Sequence, residues 1–351
     1  MSATDPAAPP ATSVADPHRK DVVAQAPLPL DFNVKRIERI TLDGPPALMA
    51  RDLMSPYVWR EADGRWGIMV RAVVRPDEPA TDTGVIWAGW SDNGIRFAML
   101  DAPSIVPGPD AHDAGGVEDP TVVRRDDGYV VYYSGVLADR AHGDLSYATG
   151  PSLDRLTKSG VALASSKSEG NTKEATIDRT ADGRWRLFYE YAADEASRIG
   201  LAIGADVDGP WTEQPTPFMP REDSWDDWHL STGPLLTDDP AMPVMFYNGA
   251  TRDARWRIGW IAFSADYGRI VARGIEPLLT PAAGRRPQRH RHRLRRLGRH
   301  RGRRHLAVLL FGGPPFVACA DPAELERSVS REAAKPRRCN ARRKRGPPIA
   351  R

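Results

Sequence analysis

Short strand-like runs, punctuated by Asp-Gly turns, recur four times along this chain at intervals of about 55 to 65 residues. Asp63-Gly64-Arg65-Trp66 opens one run, Asp127-Gly128-Tyr129 a second and Asp182-Gly183-Arg184-Trp185 a third; Pro243 to Asn248 with Ile258 to Ser264 forms the fourth. Each repeat reads as several antiparallel strands, with almost no helix-period stretch between them. Repetition at this length predicts the blades of a β-propeller, whereas a β-sandwich would not repeat internally. The expected fold is therefore all-β, a five-bladed propeller with blades one to four in residues 31–284. Its fifth blade is incomplete or corrupted, since residues 306–311 supply the only further strand legible in the sequence.

The fifth repeat fails where composition changes. Between Arg285 and His305 stand eleven arginines, four histidines and no acid. Three readings of this stretch compete: a solvated basic tail, a long surface insertion, or an out-of-frame translation of GC-rich coding sequence. The abrupt onset and the loss of an expected repeat favour the third. Region 285–351 is thus expected to be basic and either disordered or out of frame. Although the whole chain carries a net charge of +3, the remainder is acidic once this segment is set aside. An acidic body argues against nucleic acid as its partner.

Both cysteines, Cys319 and Cys339, follow the basic segment, so the body has no thiol for a disulfide, a cysteine nucleophile or a Cys-based zinc site. Residues 1–30 are rich in Ala, Pro, Asp and Thr and lack a signal-peptide pattern, which predicts a disordered leader. No run approaches the roughly 20 apolar residues of a membrane span. The expectation is a cytoplasmic protein with no membrane partner, no metal and no cofactor; its oligomeric state is not legible. Phosphate-loop, Gly-x-Ser-x-Gly, His-Glu-x-x-His and Cys-x-x-Cys motifs are all missing from the sequence.

In a propeller the inner strands line a central channel, so functional side chains are sought once per blade. Blade two offers Glu118-Asp119-Pro120, read as a loop whose proline pushes Asp119 towards an extended conformation. Taken alone, such a pair is commonly a solvated turn. Blade three offers Asn171 and Glu174, the latter in a place equivalent to Asp119, just before the first strand of its blade. Its bland reading is an exposed acid beside Lys173. Blade one offers Arg71, alternatively a surface ion-pair residue, and blade four offers His229, alternatively a structural hydrogen-bonding residue. Trp87 and Trp90 suit sugar stacking or, more simply, packing between blades. Two carboxyl groups converging from successive blades meet the needs of glycosidic bond cleavage, which uses one to protonate the leaving oxygen and one to activate the attacking group.

Several segments, taken together, resemble glycoside hydrolase family 130. They are Met54-Ser55-Pro56-Tyr57, the strand ending at Arg71, Trp90 to Phe97, Pro103 to Pro107, Gly116 to Pro120 and Gly274 to Pro281. That resemblance spans about residues 50 to 281 and implies a five-bladed propeller that cleaves or phosphorolyses β-mannosides with inversion, Asp119 being the proton donor. A wider likeness to family 43 rests on Ser55-Pro56-Tyr57-Val58, Asp119-Pro120 and Glu174-Ala175, where that family places a base aspartate, a tuning aspartate and an acid glutamate. Ser55 departs from both patterns, and Thr121 replaces the arginine that usually follows Glu-Asp-Pro in family 130, which weakens the case for handling phosphate.

The expected function is thus a glycosidase acting on a β-mannoside or related glycan by an inverting carboxylate mechanism, its partner an oligosaccharide or glycoside. Asp119 and Glu174 are the catalytic candidates, with Arg71, Glu118, Asn171 and His229 as substrate contacts. The alternatives are a mannoside phosphorylase, an arabinofuranosidase or xylosidase-type hydrolase, and a non-catalytic sugar-binding propeller.

Overall fold

Each repeat folds as an antiparallel meander, because short alternating runs joined by tight turns pair most easily with their sequence neighbours. The computed structural model describes Leu30, Phe32, Val34, residues 40–165 and 171–280, and the backbone of 307–310 and 315–318. Blade one contains β1 (Thr41–Asp43), β2 (Asp52–Arg60), β3 (Trp66–Val73), β4 (Val85–Ser91) and β5 (Arg96–Met99), with β1 added in parallel to β5. Blade two runs β6 (Gly116–Arg125), β7 (Gly128–Val136), β8 (Gly143–Gly150), β9 (Thr157–Leu163). Blade three runs β10 (Thr172–Arg179), β11 (Trp185–Ala193), β12 (Ala196–Gly204), β13 (Trp211–Gln214). Blade four has β14 (His229–Ser231) and β15 (Leu235–Leu236), both on β16 (Val244–Ala250), followed by β17 (Trp256–Phe263) and β18 (Ile270–Arg273).

The fold is all-β, with four blades in a propeller-like arrangement. Strands β2, β6, β10 and β15, the early strands of successive sheets, lie side by side in that order. Beyond blade four, the expected strand at 306–311 is found as β19 (Ala307–Leu310), paired with β20 (Pro315–Ala318). A two-stranded hairpin does not make a blade, so the count of five is not reached among the described residues. The leader before Leu30 and the arginine-rich stretch fall outside them.

Period-2 alternation explains how the sheets stack. Along β7, Val131 and Tyr133 pack with Met69, Ile86 and Ala88 of blade one, whereas Val130 and Tyr132 pack with Leu187, Tyr189 and Ala202 of blade three. With a neighbour on both faces, β7 is buried at all nine positions and reads as a continuous apolar run. Blades three and four meet in the same way through Phe188, Ile199, Met245, Tyr247 and Phe263. Trp87 lies in the blade-one core and Trp90 stands edge-on to Trp59 at 5.6 Å, so both serve packing. The Asp-Gly turns also repeat: Asp63 and Asp182 each accept the backbone N–H two residues on, at 3.0 Å, around glycines with φ of 90° and 82°.

Candidate active site

Three successive blades carry one and the same irregularity in their first strand. The register slips between Met54 and Tyr57 in β2, between Glu118 and Thr121 in β6, and between Lys173 and Thr176 in β10. At each slip one non-glycine residue takes a left-handed backbone: Ser55 at φ 45°, Asp119 at 48° and Glu174 at 53°. A left-handed conformation costs an L-residue about 1–2 kcal/mol, and a bulge uses it to turn one side chain out of the sheet's alternation. Two expectations are corrected here. Asp119 and Glu174 lie within β6 and β10, not in loops before them, and Asp119 is left-handed rather than extended. Glu174, followed by alanine, adopts the same geometry, so the bulge and not the proline sets it.

The residue before each bulge pairs across to the next strand, Met54 with Arg71, Glu118 with Ser134 and Lys173 with Glu190. In blade four Ser231 pairs with Asn248 at the corresponding place. These positions converge. The guanidinium of Arg71 donates to the Thr83 carbonyl at 3.1 and 2.8 Å and to Glu118 Oε1, and its Nη1 stands 3.8 Å from Asp119 Oδ1. Lys173 Nζ lies 3.3 Å from Glu190 Oε1, which also accepts the Ser197 hydroxyl at 3.0 Å. Ser231 Oγ donates to Glu174 Oε2, Thr232 Oγ1 donates to the Glu174 carbonyl at 2.5 Å, and the Glu174 N–H donates to Ser134 Oγ at 3.4 Å. Glu174 is thus fixed from blades two and four at once.

Neighbouring bulges are also stapled together. Thr121 Oγ1 donates to the Ala175 carbonyl at 2.6 Å, and Thr176 Oγ1 to the Gly233 carbonyl at 3.1 Å. Thr121 therefore serves the contact between blades two and three.

The cluster holds four carboxyl groups, from Glu118, Asp119, Glu174 and Glu190, against two cations, Arg71 and Lys173. Glu118, Asp119 and Glu190 are only 3%, 8% and 4% exposed. Burial pushes the Glu174 carboxyl up to about 8, helped by the negative charges of Glu190 and Asp119 and opposed by Lys173 and the Ser231 hydroxyl. Burial likewise raises Glu118, against the pull of Arg71. Lys173 is held above its ordinary value, chiefly by Glu190. No group of three or more His, Cys, Asp or Glu among the described residues is arranged to hold a metal ion.

Of the residues expected from the sequence, Arg71, Glu118, Asp119 and Glu174 come together. Asn171 precedes β10, forms a parallel bridge with Gly143 and accepts the Ala192 N–H at 3.3 Å through its carbonyl. His229 opens β14; its Nδ1 accepts the Ser197 N–H at 3.2 Å and its ring lies 5.5 Å from Trp256. It joins the cluster through Ser197, the residue that donates to Glu190. Sequence reasoning missed Lys173, Glu190 and Ser231. Aligning Tyr133-Ser134-Gly135, Tyr189-Glu190-Tyr191 and Tyr247-Asn248-Gly249 as one repeated position would have found Glu190. A separate hollow of about 360 Å³, lined by Arg125, Tyr129, Tyr147 and Asp208, sits at the far end of blade two and touches none of the four carboxyls.

No protein-family model matches the chain. It is 25% identical over 209 residues to a β-1,2-mannobiose phosphorylase of Thermoanaerobacter sp. (strain X514), a match covering 59% of this chain and 66% of that protein. The chain thus spans just under two thirds of the length of this relative. Among solved structures, a β-1,2-mannobiose phosphorylase from Listeria innocua in complex with β-1,2-mannobiose superposes with a TM-score of 0.56. It is 15% identical, with 86% of this chain and 95% of that chain covered. A structure described as showing that the GH130 family of mannoside phosphorylases contains hydrolases targeting β-1,2 mannosidic linkages in Candida mannan also gives 0.56. It is 20% identical, with 73% and 84% covered. At these identities the structural likeness speaks for the fold alone. The sequence match and the fold point the same way: this chain resembles the mannoside-active proteins of glycoside hydrolase family 130.

Proposed function

We propose that this protein hydrolyses a β-mannosidic bond with inversion, using Glu174 and Asp119 as its pair of carboxyl groups. The observation that carries the proposal is their placement at equivalent left-handed bulges of adjacent blades, in one polar cluster, with different charged neighbours. Asp119 faces the Arg71 guanidinium at 3.8 Å, whereas Glu174 feels the negative charge of Glu190. A carboxyl kept protonated beside a second carboxyl can take the acid role and leave the base role to its neighbour. Glu174, which keeps its proton up to about pH 8, protonates the glycosidic oxygen as the C1–O bond breaks. Asp119 takes a proton from the water that attacks C1 from the opposite face. This assignment exchanges the roles that the family 130 likeness implies, and it makes Glu174 the acid as in the family 43 likeness.

Water is favoured over phosphate as the acceptor on charge grounds. Both cations of the cluster already face carboxylates, Arg71 towards Glu118 and Lys173 towards Glu190. A phosphate dianion entering here would meet four carboxyl groups and two cations that already face carboxylates.

The test is turnover of aryl β-mannosides and β-1,2-mannobiose, with arabinosides and xylosides as controls, each with and without phosphate. Expected are hydrolysis independent of phosphate, an anomer inverted on first release by NMR, and a rate that falls as pH rises through about 8. Glu174→Gln and Asp119→Asn should each lower kcat by roughly 10²–10⁴-fold while glycan binding persists. A rate that instead rises through pH 8 would make Glu174 the base and restore Asp119 as donor. A second reading, a sugar-binding propeller without turnover, is supported by Ser55, whose hydroxyl fills the third bulge where an acid would complete the set. Glycan binding with no turnover of any substrate would select it.

A further inference from the structure

One position recurs opposite the residue before the bulge in blades one to three and at the corresponding place in blade four, and its occupant differs in charge. It is Arg71 in blade one, Ser134 in blade two, Glu190 in blade three and Asn248 in blade four. Arginine at this place reaches forward to Asp119 of the next blade; glutamate at the same place pairs across the strands with Lys173, the residue before Glu174. We propose that Glu190 is a positioning residue for Glu174, a negative charge held beside Lys173 that lets Glu174 keep its proton.

The geometry holds Glu190 still. It is buried, and its Oε1 receives both Lys173 Nζ at 3.3 Å and Ser197 Oγ at 3.0 Å, while Ser197 is tied through its own N–H to His229. The other groups facing Glu174 are Asp119 from β6, Lys173 from its own strand, the Ser134 hydroxyl from β7 and Ser231 from β14. Among them Glu190 acts twice. It places a negative charge near the carboxyl, and it neutralises Lys173, whose positive charge would otherwise draw the proton away. Removing the Glu190 charge therefore takes away an anion and exposes a cation, two changes of the same sign.

The inference rests on Glu174 as a reacting carboxyl, and the test separates the two. The full chain, labelled with carboxyl-¹³C glutamate, is titrated by NMR, the Glu174 signal being identified by its loss in Glu174→Gln. In Glu190→Gln the Glu174 titration should move down by about 1–3 pH units, and the alkaline limb of the rate profile should move with it while the acid-side plateau is kept. Lys173→Gln should move the titration the opposite way, and it decides the matter if Glu190→Gln does not fold by circular dichroism. An unchanged titration in Glu190→Gln, an unchanged one in Lys173→Gln, or a loss of rate equal at all pH values overturns the proposal. Should the titrations move as expected with no glycoside turned over, the control of the Glu174 proton by Glu190 stands and the hydrolase reading falls.

Discussion

Glu174 is a weaker acid in the folded chain than in the unfolded one, and this has a sign that can be checked. Its folded value, about 8, lies above the ordinary 4.5, so the folded state holds a proton that the unfolded state releases between those limits. The associated stability is complete below about pH 4.5 and drains away as pH rises through 8. Glu174→Gln keeps the shape and removes the titration, so it should stabilise the protein at pH 8 by on the order of 1–3 kcal/mol and much less at pH 4.5. Denaturant midpoints at the two pH values measure the difference. An equal gain at both would mean that the carboxyl is not under this strain. The left-handed backbone at Asp119 and Glu174 belongs to the same balance, since a functional site holds residues in conformations that local preference disfavours.

Bulged first strands set the register of the whole site, and the hydroxyl staples between them lock one bulge to the next. Thr121→Val should cost about 1 kcal/mol through the orphaned Ala175 carbonyl, read from the shift in urea midpoint at constant slope. Because the Thr121 hydroxyl bonds the neighbouring blade, its replacement should not alter whether turnover requires phosphate. At this scale the sequence was only partly legible. Alternation, Asp-Gly turns and the equivalence of Asp119 with Glu174 could be read from residue order, since they depend on local periodicity. The bulges could not, because Asp119-Pro120 obeys a local rule favouring extended backbone that the strand pairing overrides. Lys173 and Glu190 were hidden for a related reason. They meet across two strands, and cross-strand contact depends on register, which a slip of one residue changes throughout.

The repetition of blades was legible at the scale of the molecule, because its period depends only on residue order. Less legible was the use made of the chain before blade one. Leu30, Phe32 and Val34 pack on blade four, Phe32 standing 5.0 Å from Phe246 and 5.3 Å from Trp260, and a few residues later β1 joins blade one. One short segment therefore touches the first and last described blades. Phe32→Ala should lower the unfolding free energy by about 1–3 kcal/mol, and thermal or urea unfolding checks it. Across the same molecule, the left-handed kink of Ser55, Asp119 and Glu174 recurs like a numbered berth around a harbour. A single codon change can load or empty such a berth without redrawing the quay, so Ser55→Asp would moor an acid at the third left-handed bulge. Divergence of chemistry among repeated blades of this kind needs no new architecture, only a change of cargo.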